Sequence, residues 1–146
     1  AGLPHRQETI FSNKELLCIN DSKATSFDAS LQSLTNYNNI YWILGGIPKY
    51  QDRFDLKHVK QKIIKAYIIG KNTNFFVKEI KNNINYKISK NIKNAINDIY
   101  KDSKLSKNIK NTILLSPAAA SFDQFADFEK RGVYFKNLII RKFRKS

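Results

Sequence analysis

Leu16-Leu17-Cys18-Ile19-Asn20-Asp21-Ser22-Lys23-Ala24-Thr25 is the stretch whose reading decides the fold. Its first half is a short apolar run bounded by turn residues, the pattern of a buried strand. Its second half is small and polar. A helical pattern follows, with Leu31 and Leu34 on one face and Ser26 or Asp28 as N-cap. This order puts Asp21, Ser22, Lys23 and Thr25 where the carboxyl end of a strand meets the start of a helix. Open α/β sheets bind ligands there, because free backbone N–H groups and the helix dipole favour anions. Lys23 adds a flexible positive charge and Thr25 a hydroxyl.

Outward from this unit, short apolar strands alternate with helices. Upstream, residues 1–6 carry no element signal, and Pro4 predicts an extended lead-in. Residues 8–11 read as a strand that Ser12-Asn13-Lys14 turns back onto residues 16–19, an antiparallel edge hairpin. Downstream, a helix at 26–34 ends in Asn36-Tyr37-Asn38-Asn39. Residues 40–44 and 63–69 read as buried strands, separated by a loop through Pro48 and a helix near 56–62. Helices at 73–81 and 92–100, a short strand at 86–88 and a last strand at 112–115 complete the alternation. After Ser116-Pro117-Ala118-Ala119-Ala120-Ser121 the pattern predicts one long helix. Phe122, Phe125, Phe128, Phe135, Leu138 and Ile139 are its packing positions, and 141–146 its frayed basic end. The expected fold is α/β: a Rossmann-like, mostly parallel sheet with an N-terminal antiparallel edge hairpin and helices on both faces. No repeat or linker divides residues 1–146, so one domain is expected.

A chain of 146 residues is long enough for one core, and 42% hydrophobic residues with ten Phe exclude a disordered tail. No apolar run approaches the roughly 20 residues that span a bilayer. The N-terminus lacks the basic-then-apolar order of a secretory signal. The one cysteine, Cys18, lies within a strand and cannot form an internal disulfide, so a reducing, cytoplasmic setting is expected. The formal charge of +14 invites a nucleic-acid partner. Against that, the excess is almost all lysine, and lysine, asparagine and isoleucine share A/T-rich codons. Arginine, the better phosphate and base reader, is scarce. The lysines spread through 57–65, 78–93 and 101–110 instead of making one cluster. A solvated surface without a nucleic-acid partner is the expectation, and a basic nucleic-acid-binding module is the alternative.

Three strands run into unusual loops, at 21–25, 45–49 and 116–121. In a parallel sheet they converge on the carboxyl edge and gather Asp21, Lys23, Thr25, Lys49, Ser116 and Ser121 into a site for anions. Nucleophilic catalysis has no Ser–His or Cys–His arrangement to draw on. Metal ligation is poorly supplied, because His5 and His58 are isolated and there is no cysteine pair. Gly70-Lys71-Asn72 lacks the earlier glycine and the hydroxyl residue of a phosphate-binding P-loop. The chain therefore has no device of its own for a triphosphate.

Four motifs then stand in a recognisable order: Gly2-Leu3-Pro4-His5-Arg6, Asn20-Asp21-Ser22-Lys23-Ala24-Thr25, Leu44-Gly45-Gly46 with Lys49, and Leu114-Leu115-Ser116-Pro117-Ala118 through Ala120-Ser121-Phe122-Asp123-Gln124-Phe125. From residue 2 to about 138, and weakly over 54–111, the chain closely resembles the C-terminal domain of the Mur ligases of peptidoglycan synthesis. Within them it is similar to the member that adds D-glutamate. Ala119 departs from the family, which usually has cysteine there. The resemblance implies a three-domain, ATP-dependent amide ligase. Its first domain holds UDP-N-acetylmuramoyl-L-alanine and its central domain holds ATP and Mg2+. ATP phosphorylates the substrate carboxylate, and the D-glutamate amine attacks the acyl phosphate. The C-terminal domain supplies the amino-acid pocket and closes over ATP. It carries no metal and no catalytic residue, and alone it is expected to be inactive. By motif position, Thr25, Lys49, Ser121 and Phe122 contact D-glutamate, with Phe128 at the pocket wall. Arg6, Asp21 and Lys23 face the nucleotide and its transferring phosphate. A related ligase that adds another amino acid is the nearer alternative. Simpler roles remain open to these side chains: Asp21 satisfying loop amides, Thr25 and Ser121 capping helices, the two Phe in the core, Arg6 pairing with an acid.

Overall fold

Asn13 turns the chain back on itself, its side-chain oxygen accepting from the N–H groups of Glu15 and Leu16 at 2.8 Å each. That turn pairs strand β1 (Glu8–Ser12) with β2 (Leu16–Asn20) antiparallel. Every further pairing is parallel: β2 with β6 (Asn111–Leu115), β6 with β3 (Ile40–Leu44), β3 with β4 (Ile63–Ile69), and β4 with β5 (Tyr86–Lys90). The strand order is β1-β2-β6-β3-β4-β5. The computed structural model describes residues 3–103 and 109–144.

All five residues of β3, an unbroken apolar run, and all five of β6, which opens on Asn111 and Thr112, are buried, as central strands of a sheet covered on both sides require. Alternate side chains feed two cores. Ile40, Trp42 and Leu44 point to one, which α1 (Phe27–Asn36) and α2 (Thr73–Ile80) cover with Phe27, Leu34, Phe76 and Ile80. Tyr41 and Ile43 point to the other, covered by α3 (Ile92–Ser103) and α4 (Phe128–Phe143) through Ile96, Ile99, Phe135 and Ile139. Cys18 belongs to this second core, where burial pushes its thiol well above the ordinary range and leaves it inert. No helix among the described residues is long and apolar enough to cross a membrane.

The path through the sheet places the site. From β2 the chain passes over the first face to β3 and on to β4 and β5, and α3 then brings it back across the second face to β6. Strand β6 lies between β2 and β3, yet it exits toward α4, on the side opposite α1. Neighbouring strands whose exits part to opposite faces open a crevice at the carboxyl edge.

Three expectations change. The lead-in is a turn, not extended: Arg6 N–H donates to the Leu3 carbonyl at 3.0 Å, and His5 and Gln7 have φ of 64° and 46°. Tertiary bonds override the local preference, with Glu8 Oε1 accepting from His5 N–H at 3.2 Å and from Asn20 Nδ2 at 3.0 Å. The helix near 56–62 shrinks to one 3-10 turn, Lys60–Lys62, since β4 begins at Ile63 and leaves too few residues to propagate a helix. The last helix starts at Phe128, not near Phe122. Asp127 is its cap, accepting from Lys130 N–H at 2.8 Å, and the Ser121 carbonyl closes a separate turn with the N–H groups of Gln124 and Phe125. Phe122 is consequently 69% exposed instead of packed. Ala1, Gly2 of the first motif, residues 104–108 of the last lysine group, and Lys145 and Ser146 of the expected frayed end lie outside the described residues.

Candidate functional site

The three loops that follow β2, β3 and β6 are bonded to one another. Asp21 N–H donates to the Leu115 carbonyl at 2.8 Å, which carries the β2–β6 ladder one residue past the strand. Ile47 and Ala120 exchange N–H···O bonds at 2.9 and 2.8 Å, and Gly45 N–H donates to the Pro117 carbonyl at 3.0 Å. Lys49 thus lies two residues from a bridge whose other strand leads directly to Ser121. The Lys49 carbonyl accepts from Asp52 N–H at 3.0 Å, and Asp52 Oδ2 accepts from Phe27 N–H at 2.9 Å. That bond joins the Lys49 turn to the start of α1, beside Thr25. The cap of α1 itself is Ser26, whose Oγ accepts from Ala29 N–H. Gly45, with φ of +130°, passes so close to the Ile69 carbonyl that a Cβ would overlap it.

A buried polar network sits under these loops. Asp21, 4% exposed, accepts from Ser33 Oγ at 2.6 Å and Ser116 Oγ at 2.7 Å on one oxygen, and from Gln7 N–H at 3.1 Å on the other. Burial raises its pKa above the ordinary 3.8, opposed by those bonds and by the charge of Arg6. The Ser116 carbonyl accepts from the Trp42 indole at 2.7 Å and from Ser30 Oγ at 3.1 Å.

Arg131 is the residue the sequence reading missed. It is fully buried on α4 and bonds to two of the loops: Nε to Ser22 Oγ at 2.9 Å, Nη2 to the Ser22 carbonyl at 2.6 Å, Nη1 to the Ala119 carbonyl at 2.9 Å. Burial lowers its pKa to about 10, opposed by the charge of Asp123. One signal existed: Arg131, Phe135 and Ile139 recur every fourth residue, so Arg131 falls on the inward stripe of α4. The neighbouring Gly132 leaves room for the His5 ring, which a Cβ would strike.

The nominated residues divide by what they present. Arg6 and Lys23 line one cavity of about 150 Å³, with Asp21 and Gln32 in its wall. Asp21 contributes little free acceptor capacity there, because its carboxylate is committed to Ser33, Ser116 and Gln7. Lys23 is exposed, and its N–H is held by the His5 carbonyl at 2.9 Å. Thr25 and Lys49 are exposed on their loops. Ser121 is 1% exposed, and its hydroxyl has no hydrogen-bond partner. A stranded buried hydroxyl costs about 1–3 kcal/mol, which a bound acceptor or donor would recover. Phe128 is half-buried, edge-on to His5 with ring centroids 6.1 Å apart. Among the described residues no group of three or more His, Cys, Asp or Glu side chains meets as a metal site.

No family model matches the chain. Curated relatives do. Proteins from Chelativorans sp. (strain BNC1) and Rickettsia felis are 41% and 40% identical over 138 and 137 residues, and one from Rhodopseudomonas palustris is 38% identical over 138. All three are named UDP-N-acetylmuramoylalanine–D-glutamate ligase. The chain is homologous to the C-terminal part of this ligase. Each match covers 94% of the chain and 30% of the relative, so the chain spans under a third of the D-glutamate ligases it matches. The resemblance read from four motifs therefore holds over nearly the whole chain, lysine-rich middle included.

Proposed function

We propose that the chain is the amino-acid-binding, C-terminal domain of an ATP-dependent ligase that adds D-glutamate to UDP-N-acetylmuramoyl-L-alanine. The observation that carries this reading is the bonding of the three motif loops into one rim, in a chain about 40% identical to D-glutamate ligases. D-glutamate carries two carboxylates, and removing them from water requires a cation and several donors. Lys49 supplies the cation. Thr25 and the unpartnered Ser121 hydroxyl supply donors, and Phe122 and Phe128 supply walls. Arg6 and Lys23, sharing one cavity, face the phosphate that is transferred and stabilise the charge that develops on it. Asp21 acts beneath them by fixing the loop that carries Lys23 and Thr25. ATP and Mg2+ fall to another part of the ligase, a reading supported by the lack of a P-loop in the sequence and of any metal-binding cluster among the described residues. The amine of bound D-glutamate would then attack the acyl phosphate held between the domains.

The test is substrate selectivity in the full-length ligase containing this chain. Phosphate release should depend on D-glutamate and stay near background with L-glutamate or D-aspartate. Equal turnover with either of those two would overturn the assignment of the pocket.

A further inference from the structure

Beyond the three-loop rim, the same edge of the sheet holds a larger open cleft of about 720 Å³, at the ends of β4 and β5. Its size falls in the range of small-molecule sites. Lys71, Lys90 and Lys93 line it, and no acidic residue does. None of the three ammonium groups takes part in an ion pair or hydrogen bond; the carboxylate that adjoins the cleft, Asp123, accepts instead from the Lys71 backbone N–H at 3.1 Å. Lys90 also holds a φ of 77°, strained for a side chain with a Cβ.

The rest of the lining is apolar and aromatic. Phe125 and Tyr134 pack with ring centroids 5.5 Å apart, and Ile88 and Tyr134 are 45% and 39% exposed. Gln124 joins them with a buried Nε2 that has no hydrogen-bond partner, a donor without an acceptor. Three free cations, an unpaired amide donor and an aromatic wall together fit a multiply charged anion attached to a flat apolar body. Lysines serve phosphate as point charges, and rings offer a face to stack on.

We propose that this cleft is a second ligand site, for a small organic phosphate of the nucleoside-phosphate class. The phosphate lies among Lys71, Lys90 and Lys93, and the base lies against Phe125 and Tyr134. The inference is independent of the D-glutamate reading, since it uses none of the residues assigned to that pocket.

The test is a titration of the 146-residue chain, followed by amide NMR at physiological salt, with UMP, AMP and inorganic phosphate as probes. The nucleotides should give saturable shifts at Lys71, Asn91, Lys93 and Gln124, with a Kd below about 1 mM. The Lys71→Gln/Lys93→Gln pair should weaken binding by roughly tenfold or more. Tyr134→Ala should weaken the nucleotides and spare phosphate. The control pair Lys130→Gln/Arg144→Gln removes the same charge elsewhere and should change nothing. All these side chains are exposed, so the variants should fold. Shifts that stay linear to about 10 mM, that centre on Arg6 and Lys23, or that weaken equally in the control pair would overturn the site. Nucleotide binding indifferent to Tyr134→Ala would overturn the aromatic wall.

Discussion

The carboxyl edge of the sheet has two halves built on different principles. After β2, β6 and β3 the loops are tied by buried polar groups, and the charged side chains they present stand on a fixed base. After β4 and β5 the loops have fewer cross-links, and three lysines stand unpaired around an open cleft. The contrast shows what a basic surface means here. Charge alone does not distinguish the halves. The buried network does, because the bonds of Asp21, Ser116 and Arg131 hold the loops of one half in place.

The largest effects should come from breaking the locked half. Arg131→Ala strands the Ser22 and Ala119 carbonyls and should cost about 4 kcal/mol of stability, read as a lower urea midpoint. A loss below about 1 kcal/mol would mean that the loops do not depend on it. Gly45→Ala forces a Cβ against the Ile69 carbonyl at a φ of +130° and should cost about 3 kcal/mol. Away from this edge, near the start of β4, Lys65→Ala removes a half-exposed pair with Asp102 and should cost under about 1 kcal/mol. Hydrogen exchange sharpens the same contrast: the amides of Asp21 and Ala120 should exchange more slowly than that of Lys71.

The smallest effect is one of pH, and its sign differs between two carboxylates, Asp21 in the locked half and Asp102 at the far end of α3. Burial raises the folded pKa of Asp21 above 3.8, so its contribution favours the fold at low pH and is lost as pH rises through the folded value. Asp102 is the reverse. Burial alone would raise it, but its bonds with Tyr67 and Lys65 leave it below 3.8, so its contribution is lost as pH falls through the folded value. Carboxyl NMR should find Asp21 titrating above Asp102. The opposite order would mean that the bonds to Asp21 outweigh its burial, contradicting the raised value.

Much of this was legible in the sequence, and the exceptions have physical reasons. Every strand was located, most plainly β3, because a short apolar run such as Ile40–Leu44 bounded by turns leaves few alternatives. The motif loops were legible because small polar residues at strand ends have few structural uses. The start of α4 was not: Phe122, Phe125 and Phe128 mimic a helical stripe, and only the Asp127 cap separates turn from helix. The lead-in was misread because Glu8 and Asn20 hold His5 and Gln7 in conformations that no local preference selects. Arg131 was hidden because a charge on an inward stripe reads as an exception until its carbonyl partners, over a hundred residues away for Ser22, are seen.

The most direct measurement is the Michaelis constant for D-glutamate in the full-length ligase carrying Lys49→Ala. The account predicts a rise of roughly tenfold or more, with the constant for ATP unchanged. An unaltered D-glutamate constant would contradict the assignment of that rim to the amino acid.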